Sequence, residues 1–160
     1  GHLRVSYFED LATGLINSYN ISLESAEFRR RVAEVVVEWA KVNPVVLELI
    51  FKDARRYASD QHIDDAFPHS PNSFEVLAMV GPFSLVVIFL ENIVKTDWGI
   101  PRWAAIEALC RLEGRNANGV LRKVLLGSYP PRNFGSREDL AVIGKYKSEK
   151  WMEIMRNPRD

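Results

Sequence analysis

The segment GPFSLVVIFLENIVKTDWGIPRWAAIEALCRLEG, from Gly81 to Gly114, constrains the fold of this chain more than any other stretch. Pro82 suits the first position of a helix, where its missing N–H costs nothing, and the run from Phe83 to Val94 is apolar except at Ser84, Glu91 and Asn92. A helix of that composition is expected to be buried almost all round. Thr96-Asp97-Trp98-Gly99 breaks it, and Pro101 opens a second helix in which Ala105, Ala108, Leu109 and Leu112 recur at helical spacing until Gly114. The first helix reads as core and the second as its cover.

Within this segment Leu85, Leu90, Asp97, Arg102, Ala104, Ala105, Ala108, Leu109 and Leu112 follow an order of their own. A Leu- and Val-rich helix leads to a corner with Asp, and then to an Arg, two Ala and a Leu three to four residues apart. Residues 85–112 resemble one HEAT repeat. The resemblance implies an α-solenoid of antiparallel helical hairpins used as a binding scaffold, and it brings no catalytic residue with it. An internal echo points the same way: Arg30, Ala33, Val37 and Ala40 have the spacing of Arg102, Ala105, Leu109 and Leu112, displaced by 72 residues. Two periods of about 36 residues fall within the range of helical repeats.

The chain has 160 residues, which predicts a single domain large enough to bury a core without disulfides or metal. Twenty-one Lys and Arg balance 21 Asp and Glu, so no global field recruits nucleic acid or an anionic membrane. Along the chain the balance shifts from net −3 over residues 1–72 to net +3 over residues 73–160. The one cysteine, Cys110, excludes an intrachain disulfide and fits a reducing, cytoplasmic setting. The longest apolar run, Leu85 to Leu90, falls far short of the roughly 20 residues that a membrane span needs. Gly1-His2 reads as the remnant of a cleaved tag and is set aside.

The remaining elements read as helices separated by two loops. Residues 3–18 place Leu3, Tyr7, Leu11, Leu15 and Ile16 on one side, and a longer helix is expected from about Glu24 to Val42. The cluster Val35-Val36-Val37 is compatible with a strand, but the length of the pattern and the spacing Glu34–Glu38–Lys41 favour a helix. Pro44 starts another, Val45 to Ala58, with Val46, Leu47, Ile50, Phe51 and Ala54 inward. The irregular stretch Ser59 to Ser73 is a loop, followed by a short helix, Phe74 to Val80. Further helices are expected from Gly119 to Leu126, from Ser136 through Ile143 with Glu138 and Asp139 complementing its dipole, and after Ser148. Ser128 to Gly135 is a second loop, stiffened by Pro130-Pro131.

Few residues suggest chemistry. His62, Asp64, Asp65 and His69 are the right types for a metal, but their spacing in a loop matches no defined motif, and no metal or other cofactor is assigned. Cys110 sits in an Ala/Leu-rich helix, where a buried thiol behaves as a small hydrophobe, and no catalytic residue is assigned. Adjacent acid pairs such as Glu138-Asp139 do not face one another on a helix. Trp103 differs from the other tryptophans because it shares a stripe with Glu107 and Arg111, and Trp beside Arg is the composition of a binding hot spot.

The expected fold is therefore all-α: a single domain of antiparallel helical hairpins, stacked as a short HEAT-like α-solenoid. Its expected role is a non-enzymatic protein-interaction scaffold, with Arg30, Glu34, Arg102, Trp103 and Glu107 on the concave face. The alternative is a helical-repeat protein that binds nucleic acid through Arg and Lys at helix ends, among them Arg29-Arg30-Arg31, Arg55-Arg56 and Arg122-Lys123. Glu107 four residues before Arg111 and Glu27 four before Arg31 already neutralise part of that charge.

Overall fold

A computed structural model describes residues 26–59, 72–81, 83–97, 99–129 and 136–157. The sequence-predicted helix over residues 3–18, the His62, Asp64, Asp65 and His69 loop, Trp98 and the Pro130-Pro131 pair lie outside the described residues. Among those described, eight helices and no strand are present. The chain divides into two compact units, Gly1–Val80 and Gly81–Asp160, where length alone predicts one domain. Gly81, at φ 118°, stands at the division in a backbone conformation that L side chains rarely adopt.

The first unit contains α1 (Ala26–Val42), α2 (Pro44–Ser59) and α3 (Asn72–Val80), each packed against the other two. The valine cluster of α1 is helical, and the pleated alternative fails on its burial pattern. Val36 and Val37 are buried and Val35 is exposed, while Val32, Ala33 and Ala40 complete the inward stripe. The outward face carries Arg31–Glu27 at 2.9 Å, Arg30–Glu34 at 3.8 Å and Lys41–Glu38 at 3.4 Å. Asn43 separates α1 from α2, its side-chain oxygen accepting the N–H of Val45 at 3.1 Å, and Pro44 takes the first helical position. Val46, Ile50 and Ala54 then recur at i, i+4 and i+8 on the buried side of α2, whereas Leu47 and Phe51 are only half-buried. Phe74, Val76, Leu77 and Val80 of α3 complete this core.

The second unit contains α4 (Ser84–Thr96), α5 (Ile100–Arg111), α6 (Arg115–Leu125), α7 (Ser136–Gly144) and α8 (Glu149–Arg156). Here the expected roles of the first two helices are reversed. The apolar α4 buries Val86, Val87, Phe89, Leu90, Ile93 and Val94, but Leu85 and Ile88 remain 63% and 61% exposed. It is not buried all round. The enclosed helix is α5, which packs against α4, α6 and α7 and buries Arg102, Ala104, Ala105, Ile106, Ala108, Leu109 and Cys110. Its alanines are the physical reason. Small side chains let several helices approach one backbone closely, so a helix of modest hydrophobicity becomes the hub while a greasier neighbour keeps an open stripe.

The other helices follow from their ends. Helix α6 starts at Arg115, four positions before the expected Gly119, because Gly114 at φ 144° precedes it as N-cap. Its last turn closes in a Schellman motif, with Gly127 N–H donating to Val124 O at 3.1 Å and Ser128 N–H to Lys123 O at 2.9 Å. Gly127, at φ 72°, supplies the left-handed residue that this motif requires. Ser148 caps α8 as expected, accepting the Trp151 N–H at 3.1 Å. Helix α8 buries no residue fully, and it joins α6 through Arg122 Nε donating to Met155 O at 3.0 Å.

The displaced echo between the two units divides on inspection. Ala33, Val37 and Ala40 are buried like Ala105, Leu109 and Leu112, but Arg30 is exposed and Arg102 is not.

Candidate functional site

Helix α5 presents two polar constellations that begin on adjacent residues and face opposite environments. Arg102, in its first turn, is 1% exposed. Its guanidinium grips Asp139 of α7 in a fork, Nε to Oδ1 at 3.2 Å and Nη2 to Oδ2 at 2.9 Å. Nη1 donates to Val94 O at 2.9 Å and Nη2 also donates to Tyr129 O. The Val94 carbonyl belongs to the last turn of α4, where helical acceptors lack intrahelical donors, so Arg102 satisfies an acceptor that helix geometry leaves open. One side chain thereby joins α4, the segment after α6, and α7.

This corrects one sequence-based expectation, because Arg102 is withdrawn from any ligand. Asp139 stands in the first turn of α7, as its expected dipole role requires, and it is also 3% exposed and neutralises the buried guanidinium.

Trp103, the next residue, is half-buried. With Glu107 and Arg111 it forms an i, i+4, i+8 stripe about 12 Å long at 1.5 Å per residue. Arg111 Nη2 lies 3.2 Å from Glu107 Oε1 and donates to the Tyr146 hydroxyl at 3.2 Å, while that hydroxyl donates to Glu107. The Arg111 guanidinium stands 5.6 Å from the centre of the Tyr146 ring. Burial pushes the Tyr146 hydroxyl up, and its hydrogen bond to the Glu107 carboxylate adds to the shift, so the phenol stays protonated and donating. The result is an ordered aromatic and charged surface.

The same arrangement recurs one helix earlier. Glu91 of α4 accepts the Tyr129 hydroxyl at 2.6 Å, and Lys95, four residues on, stands 5.6 Å from the Tyr129 ring centre and 3.9 Å from Glu91. Lys123 of α6 approaches the same carboxylate at 3.5 Å. In each case a helical Glu binds a Tyr 38 or 39 residues away, just past the end of a later helix, and the cation at i+4 covers the ring.

Burial alone would raise the Glu91 carboxyl, but the Tyr129 hydroxyl, Lys123 and Lys95 outweigh it and hold the group below the ordinary glutamate value. A carboxylate with a depressed folded pKa contributes stability above its unfolded pKa, near ~4.3, and loses it as pH falls through the folded value. Wild type should therefore exceed Glu91→Gln in stability at neutral pH, by a modest amount because solvent screens the cluster, and the two should converge as pH falls through the depressed Glu91 value. Urea titrations at stepped pH measure this; a constant difference through the acid range would contradict the cluster.

Cys110, on the buried side of α5, is 3% exposed, and burial pushes its thiol up to about 12. At neutral pH it is a thiol and not a nucleophile. Among the described residues no group of three or more His, Cys, Asp or Glu is placed to hold a metal ion. No described helix is long and apolar enough to cross a membrane.

The sequence-predicted residues thus part company. Arg30 and Glu34 form an exposed ion pair on α1 of the first unit. In the second unit Arg102 is internal, Trp103 and Glu107 share one stripe, and Glu107 is joined by Arg111 and Tyr146. The Glu107–Arg111 pair is legible from its spacing of four. Tyr146, Tyr129 and Asp139 carry no local signal, because each meets its partner across 35 or more residues. The chain matches no protein-family model, no curated protein and no solved structure.

Proposed function

We propose that this chain is a non-enzymatic protein-interaction scaffold built of stacked, HEAT-like helical hairpins, and that the Trp103, Glu107, Arg111 and Tyr146 face of α5 is its binding surface. Two features support the hairpin arrangement. Helix α4 packs on α5 and α6 while α5 packs on α6 and α7, as when a hairpin meets the helices that follow it, although α6 and α7 do not pack closely on each other. The two Glu–cation–Tyr clasps also tie corresponding positions of α4 and α5 to segments two helices further on.

The observation that carries the binding surface is its composition. A half-buried Trp shares the stripe with a Tyr that is 37% exposed, and the Tyr is held by a carboxylate and a guanidinium that already neutralise each other. Rigid aromatic area with internally matched charge suits a protein partner, because binding orders little that is not already ordered. A phosphate backbone draws its affinity from uncancelled cations, and Arg111, the cation of the α5 stripe, has a carboxylate partner in Glu107. The nucleic-acid alternative is correspondingly weaker on this surface.

Trp103→Ala is expected to weaken a captured protein partner by more than about 1–2 kcal/mol. Calorimetric titration measures the loss, and thermal melting followed by circular dichroism checks the fold. Undiminished affinity would remove this face from the account.

A further inference from the structure

The chemistry of the partner follows from the far end of the same stripe, and this step rests on the binding face proposed above. The turn between α7 and α8 and the first residues of α8 read Lys145-Tyr146-Lys147-Ser148-Glu149-Lys150-Trp151. Tyr146 is held against Glu107 and Arg111 of α5, so the turn adjoins the C-terminal end of the stripe. A second cation–aromatic pair continues it, with Lys147 Nζ 5.2 Å from the centre of the Trp151 ring.

No carboxylate among the described residues lies within ion-pair distance of Lys145, Lys147 or Lys150, whereas Lys95, Arg102, Arg111 and Lys123 of the same unit each have one. A run of lysines is ordinarily just a solvated face. Here the three are interleaved with two ordered rings, at the end of a stripe whose other charges cancel. We infer that the partner of this face is an acidic protein segment, with an apolar or aromatic residue seated on Trp103 and carboxylates meeting Lys145, Lys147 and Lys150. Electrostatic steering of that kind sets orientation along the stripe and speeds association.

A nucleic acid fits the same surface less well. Glu107 and Glu149 stand among the cations, where a continuous phosphate chain would meet them, and a peptide can space its carboxylates to avoid both. The Tyr146 and Trp151 rings are also each covered on one face by a cation of the chain itself, which leaves less of the ring for a stacked base.

The test uses the full chain and two short fluorescent peptides, one alternating Glu with Phe and one alternating Gln with Phe, read by anisotropy. The Glu peptide should bind saturably and more weakly as salt rises. The combined variant Lys145→Gln, Lys147→Gln, Lys150→Gln should weaken it by roughly tenfold, while Lys52→Gln on α2 leaves it unchanged. Failure of the Glu peptide to bind, or equal binding by the triple variant, overturns the acidic partner. If the Gln peptide then still binds in a Trp103-dependent way, the binding face stands without the acidic preference; if neither peptide responds to Trp103→Ala, the face itself fails. Tighter, lysine-dependent binding of oligothymidylate than of the Glu peptide would overturn the inference in favour of nucleic acid.

Discussion

Asp139→Ala will destabilise the second unit by about 3–5 kcal/mol, the usual consequence of leaving a buried charge without its partner. Arg102 is 1% exposed, and the carbonyls of Val94 and Tyr129 that it also contacts carry partial charge only, so they cannot neutralise a guanidinium. Hydrogen exchange of α5 amides under increasing urea isolates the effect to this unit. The double substitution Arg102→Met with Asp139→Leu should recover much of the loss, since replacing both members of a buried pair by apolar groups is often nearly neutral. A loss below about 1 kcal/mol in Asp139→Ala would place the pair in solvent, where such pairs contribute little.

Leu109→Ala should cost about 2–5 kcal/mol, because the side chain is fully buried on the helix that packs against α4, α6 and α7, and a cavity there has few ways to collapse. Leu85→Ala and Ile88→Ala, on the open stripe of the more apolar α4, should stay within about 0.5 kcal/mol of wild type. The contrast matters more than either value. If the α4 substitutions proved the costlier ones, α4 and not α5 would be the hub, as hydrophobicity by itself suggests.

That reversal shows what the amino-acid sequence discloses and what it withholds. Helix ends are legible where the backbone chemistry is local: Pro44, Pro101, Ser148 and the glycines at 81, 99, 114 and 127 mark them directly. Buried stripes such as Val46, Ile50 and Ala54 follow from spacing. Hydropathy, by contrast, ranks how strongly a helix avoids water but not how many neighbours it can admit, and Ala104, Ala105 and Ala108 decide the second question through their size. Charged residues are harder still. Arg102 beside Trp103 has the look of a surface pair, and only its fork with Asp139, 37 residues away, shows that it belongs to the core. Glu107 and Arg111 announce themselves at i and i+4, but the Tyr146 that completes their cluster is brought in by the path of the chain through α6 and α7.

Two adjacent residues of α5 have different roles under this proposal: Arg102 is buried and ties three elements together, and Trp103 is proposed to hold a partner. Arg102→Ala and Trp103→Ala, measured side by side for urea stability and for affinity toward the captured partner, test it most directly. Arg102→Ala is expected to lose about 3–5 kcal/mol of stability, whereas Trp103→Ala keeps its stability and loses more than about 1–2 kcal/mol of binding. A Trp103→Ala protein as unstable as Arg102→Ala, or one that is stable and binds like wild type, would contradict it.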